Sequence, residues 1–144
     1  MANEILQKSR PPITPQASGV LTAGFDPNSG SYTGGTATVI DNTYDAGTEN
    51  SRGSEWVNLQ LNVTNAPATA ATAQIWYRGS EDGVNYTRFK YSHTVGDSIL
   101  AATVALYDAG MFQLSYQHTE LKVMAISYGF TANLLATPKL MELQ

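Results

Sequence analysis

The sequence predicts an all-β fold: an antiparallel β-sandwich, jelly-roll-like, forming a single domain behind an extended N-terminal arm. Three observations carry this. First, in Trp56–Asn65 the residues Val57, Leu59, Leu61 and Val63 alternate with Trp56, Asn58, Gln60 and Asn62, the period of two of a half-buried strand. Second, the later chain is a succession of short β-branched or aromatic runs broken by Gly, Pro and small polar clusters. Third, only 14% of the 144 residues are charged while Gly, Ala, Thr, Ser and Asn abound, a composition suited to strands joined by many turns. A chain of this length holds one ordinary core.

The elements follow in order. Residues 1–19 contain Pro11, Pro12 and Pro15 and few large apolar groups. Proline fixes φ and removes a backbone donor, so an extended arm is expected here, with residues 20–144 as the sandwich. Deleting the arm should then leave the sandwich folded and weaken its attachment to a partner. Val20–Phe25 and Gly35–Ile40 read as strands around the turn-forming run 26–35, and residues 42–55 as a long exposed loop. After Trp56–Asn65 the chain turns through residues 68–72 into "AQIWYRG", which begins at Ala73.

The stretch "WYRGSEDGVNYTRF", Trp76–Phe89, places Glu81 and Asp82 beside Gly83. Asp-Gly accepts positive φ in a tight hairpin, and the acids sit at the tip because tips are wet. A calcium loop needs oxygen ligands at regular intervals, which "SEDGVN" lacks. Ser98–Leu106 suits either a strand or two turns of helix, since Ala and Leu favour helix. The runs "MFQLSY", "LKVMAISYG", "FTANLLAT" and "PKLMEL" read as further strands, and the repeated Tyr-Asp-Ala-Gly at 44–47 and 107–110 suggests two similar turns.

Several functions are excluded or unsupported. Eight Lys plus Arg against twelve Asp plus Glu give a net charge of −4 with scattered cations, unlike a nucleic-acid groove. The absence of cysteine removes disulfides, thiolate metal sites and Cys nucleophiles. The start of the chain lacks the apolar run of a secretory signal and no stretch suits a membrane span, so a protein made in the cytoplasm and independent of membranes is expected. The sequons at Asn62 and Asn85 are then accidental. His93 and His118 lack metal-ligand spacing and read as hydrogen-bonded strand residues. Asp41, Asp45, Glu55, Asp97 and Asp108 could pair in space as glycosidase acids do, but turn formation already accounts for most of them. No catalytic, metal or cofactor-binding residue is identified, and no enzyme is expected.

The aromatics are more informative. Trp76 points opposite to Ile75 and Tyr77, so one face of this region must present rings outward or to a second layer. Trp56 begins on the wet face of its strand. Arg10, Pro11, Pro12 and Ile13 of the arm, with Trp56, Trp76 and Tyr86, are the expected partner contacts.

The segments "AQIWYRGSEDGVNYTRFKYS" and "LYDAGMFQLSYQHTELKVMAISYG" resemble small β-sandwich structural proteins of tailed-phage virions, over about Trp56–Tyr128. In these a strand ends in a G-S-x-D-G turn, an aromatic strand follows, and a later L-K-(V/L)-x-A strand closes the sheet, a motif shared with carbohydrate-binding and adhesion modules. The resemblance implies a capsid decoration (cement) protein located in the virion. Its partners would be the major capsid protein or other virion proteins and further copies of itself, as a trimer. The alternatives are a neck, tail or baseplate component and a glycan-binding module with Trp56, Trp76 and Tyr86 as its platform.

Overall fold

The computed structural model describes residues 5–9, 12–21, 25–26, 31–32, 43–45, 56–126 and 128–143. Its strands are β1 (Ile5–Ser9), β2 (Ile13–Leu21), β3 (Phe25–Asp26), β4 (Ser31–Tyr32), β5 (Thr43–Asp45), β6 (Trp56–Asn65), β7 (Thr72–Ser80), β8 (Lys90–Thr94), β9 (Leu106–Gln113), β10 (His118–Ile126) and β11 (Phe130–Leu143). One sheet has the order β1-β11-β6-β9 with β2 also on β11, and a second has the order β5-β10-β7-β8. All pairings in both are antiparallel.

Because β6 occupies one edge of β11 from Thr131 to Lys139, β2 and β1 lie in succession along the other. Counting them as one outer strand, and leaving aside the short β3–β4 pair, the sheets read 1-8-3-6 and 2-7-4-5. That is jelly-roll connectivity, in agreement with the predicted fold class.

The sandwich is held by the inward faces. Val57, Leu59, Leu61 and Val63 of β6 are all at 0% exposure, and they share one core with Ile75 of β7, Leu121 and Val123 of β10 and Leu134 of β11. Each such side chain contributes about 1.5–3 kcal/mol by leaving water. Ala73, Ala125, Ala132 and Ala136 are the small residues that let the larger ones interdigitate.

Several sequence expectations change. The segment read as an arm is extended, but β1 and β2 are hydrogen-bonded into the sheet of their own chain. The boundary at 19/20 falls inside β2. Ile13, expected to meet a partner, packs against the core, whereas Pro12 is exposed; Arg10 and Pro11 lie outside the described residues. The break between β1 and β2 falls between the pairs Ser9↔Lys139 and Ile13↔Ala136, where neither Pro12 nor Pro138 has an N–H to give. The runs "FTANLLAT" and "PKLMEL" are one strand, β11, passing through Pro138. Of the loop expected at 42–55, Thr43–Asp45 forms β5 and the rest lies outside the described residues, as does Gly35–Ile40. Val20 and Leu21 end β2, and Phe25 opens β3.

The segment 98–105 contains no helix: Ile99 bridges Ala71 and the chain turns at Ala102, whose φ is 53°. The second Tyr-Asp-Ala-Gly is not a turn. The β6–β9 register shifts between Leu59↔Gly110 and Gln60↔Asp108, so Ala109 is the extra residue of a bulge. Gly110 has φ 88°, and its N–H donates to Asp108 Oδ1 at 2.9 Å. Of the first copy, Tyr44 and Asp45 end β5 and residues 46–47 lie outside the described residues.

Candidate functional site

The β7–β8 connection is a hairpin with a long loop, residues 81–89, rather than the tight turn expected at Asp82-Gly83. Gly83 does take positive φ, 73°. The loop is organised by side chains in place of a two-residue turn. Ser80 Oγ accepts from the N–H of Gly83 at 2.9 Å and donates to Asp82 Oδ1 at 2.8 Å. Asp82 Oδ1 also accepts from the N–H groups of Val84 and Asn85 at 2.8 and 2.7 Å, and Oδ2 accepts from Asn85 Nδ2 at 2.7 Å. Gly79 and Thr87 close the base, with Thr87 N–H donating to Gly79 O at 2.9 Å.

Asp82 is therefore occupied as a loop organiser. Among the described residues no group of three or more His, Asp or Glu side chains is placed to hold a metal ion. The backbone N–H of Asn85, then that of Val84, hold the Asp82 carboxyl well below its ordinary 3.8. A carboxyl depressed in the folded state adds stability above its unfolded value and loses it as pH falls towards the folded one. The melting-temperature gap between the native chain and Asp82→Ala should thus be constant near neutrality and narrow progressively below pH 3.8. A gap that widens in acid would contradict this loop geometry.

The same loop covers the outer face of its sheet. Glu120 and Lys122 alternate with core-facing Thr119, Leu121 and Val123, so they point outward, yet they are only 5% and 6% exposed. Arg78 reaches Glu120 Oε2 through Nε at 2.8 Å and Nη2 at 2.7 Å. Its guanidinium lies 4.8 Å from the ring centroids of both Tyr86 and Phe89, and Lys122 Nζ lies 4.9 Å from that of Phe89. The two cations, Arg78 and Lys122, are thus covered by aromatic rings while the Glu120 carboxylate is paired with Arg78, an arrangement that offsets the desolvation of Glu120 and Lys122. Nearby, Trp76 meets Tyr91 edge to face at 5.7 Å and donates Nε1–H to Gln74 Oε1 at 3.2 Å. Tyr77, on the inner side, packs edge to face on Phe112 at 5.0 Å. The outward rings inferred from alternation are therefore present, but Trp76 and Tyr86 are engaged within their own chain.

The opposite outer face, on the β6 sheet, is more open. Trp56 is 39% exposed, as its place on the wet side of β6 predicts, and Leu106 and Met111 of β9 are 56% and 53% exposed. Between β9, β6 and β11 lies a shallow depression of about 600 Å³, with Asn58 and Gln60 on its floor and Asp108, Met111, Thr137 and Lys139 around it. Trp56 and Trp76 thus lie on outer faces of different sheets, and Trp56, Trp76 and Tyr86 do not form one platform.

His93 has a structural place. Its Nε2 is 2.6 Å from the Ala109 carbonyl on the β9 bulge and its Nδ1 is 2.9 Å from Ser92 Oγ, so the ring ties β8 of one sheet to β9 of the other. The His118 ring lies against Gly83. Asp97 and Asp108 are exposed; Asp41 and Glu55 lie outside the described residues. The Arg78–Glu120–Lys122 cluster was not anticipated from sequence. Its only signal was charge at alternate positions of a strand, which ordinarily marks a solvated face.

Comparison of the chain with protein-family models, with curated proteins and with solved structures gives no match.

Proposed function

We propose that this chain is a structural protein of a tailed-phage virion, a capsid decoration protein that binds the assembled head lattice and stabilises it. The observation that carries the reading is the outer face of β6 and β9. Trp56, Leu106 and Met111 stand exposed around the amides of Asn58 and Gln60, with Asp108 and Lys139 as the charged groups at the depression. Aromatic and Met side chains with little charge are the composition of interface centres. The jelly roll is an architecture used by capsid and lectin domains, which supports the reading by analogy only. A protein that binds the lattice and not its free subunits stabilises it by mass action, in proportion to occupancy.

The test is addition of the purified chain to heads that lack it, with occupancy and head melting measured together. Saturable binding at many copies per head, with a raised head melting temperature, is expected. Trp56→Ala with Met111→Ser should weaken binding about tenfold or more, as for interface anchors. No binding to heads would overturn the reading, and attachment at low copy number to necks or tails would move the chain there.

A further inference from the structure

The flank where β8 and β9 approach each other holds a second concavity, which meets the depression on the β6 face at Met111. His93 pins the two strands together at Ala109 O. Beyond the pin, toward Met111–Gln113, a slot of about 290 Å³ opens between the sheets, lined by Tyr77, Tyr91, Ser92, Phe112, Gln113 and Ser115 among others. Tyr77 and Phe112, packed edge to face, belong to its wall, and Tyr91 is 49% exposed. The register break that makes Ser92 an extra residue in β8, between Ile75↔His93 and Trp76↔Tyr91, lies beside the slot. Bulges of this kind re-aim side chains next to sites.

The lining specifies a chemistry. No charged side chain contributes to it. Tyr91 and Ser92 hydroxyls are already used, on Thr94 Oγ1 at 2.7 Å and His93 Nδ1 at 2.9 Å. The Tyr77 hydroxyl, the Gln113 amide and the Ser115 hydroxyl make no hydrogen bond among the described residues. A hydroxyl both donates and accepts, and an amide offers two donors and an acceptor, so these groups match a ligand dense in neutral hydroxyls. The phenol rings offer a negative face to the polarised C–H bonds of a sugar ring. An anion would find no cation there, and an apolar ligand would strand the polar groups at a cost of about 1–3 kcal/mol each where they become buried. The volume is at the small end of ligand pockets, about 300–1,000 Å³, which suits one sugar ring at a time.

We infer that the slot between β8 and β9 binds a neutral saccharide, with Gln113, Ser115 and the Tyr77 hydroxyl as hydrogen-bonding groups and Tyr91 as the stacking surface. The inference does not depend on attachment to a virion lattice. Its test is a panel of neutral mono- and disaccharides beside sialic and glucuronic acids, offered to the full chain by saturation-transfer NMR and titrated by calorimetry. At least one neutral sugar should bind saturably and the acidic ones more weakly. Gln113→Ala and Tyr91→Ala should each lower the affinity about tenfold, with melting temperatures near that of the native chain, while Leu106→Ala, in the depression at the other end of β9, leaves binding unchanged. The inference is overturned if no neutral sugar binds at millimolar concentration, if acidic sugars bind better, if binding survives both slot variants, or if Leu106→Ala abolishes it.

Discussion

A chain lacking residues 1–21 is expected not to fold cooperatively. That deletion removes β1 and β2, which between them pair with β11 from Phe130 to Leu143. A central strand of 14 residues would become an edge, presenting unpaired backbone groups to any other strand. Each such group left buried without a partner costs about 1–3 kcal/mol, and several together exceed the roughly 5–15 kcal/mol that holds a domain folded. The packing of Ile13 against the core is lost as well. Deletion of residues 1–9 takes away β1 alone and leaves β2 on the other half of β11, so a lowered but still cooperative transition is expected. Circular dichroism melting and size-exclusion chromatography of the two truncations decide the matter. A monodisperse, cooperatively melting chain without residues 1–21 would show that these strands are an appendage and restore the arm as a separable part.

The contrast with the sequence reading is physical. Prolines argue against a strand because they cannot donate to a ladder, yet an outer strand has one edge with no ladder to serve. Pro15, inside β2, therefore signalled extended backbone correctly and its pairing not at all. The same reasoning split β11 at Pro138, which is paired with Val57 on one side and faces the β1–β2 break on the other. By contrast β6 was legible throughout, because burial of one face imposes a period that no distant residue has to supply. Asp82-Gly83 announced the positive φ of Gly83 but not the loop length, since the Asp82 carboxylate organises bonds that a tight turn would make through its backbone. The candidate site divides in the same way. Trp56 stands exposed where its strand position placed it, whereas Glu120 and Lys122 are roofed by a loop some 30 residues earlier in the chain, a long-range event that alternation along β10 does not encode.

Gly79→Val is expected to be among the most damaging single substitutions in the chain. In the sequence this glycine closes the run "AQIWYRG" just ahead of the turn residues. In the structure it lies inside β7, opposite Thr119 of β10, and is not among the residues of positive φ. Its role is space: a Cβ built on Gly79 falls within the ring of Tyr116, overlapping Cγ as well as Cδ2. Cγ is fixed close to the backbone of Tyr116, so a rotamer change cannot clear it without swinging the whole ring out of its place on the sheet. Overpacking of this kind costs about 1–3 kcal/mol, and expulsion of the ring adds the loss of its own packing. The decisive measurement is a double-mutant cycle by urea denaturation, using Gly79→Ala to keep the added atom single and Tyr116→Ala to remove the ring. Residues in direct contact couple by about 0.5–3 kcal/mol, and here the sign is specified. Gly79→Ala should be costly in the native background and close to neutral, or stabilising through the reduced entropy of the unfolded chain, once the ring is gone. Equal costs in the two backgrounds would mean that the glycine is required for its backbone after all.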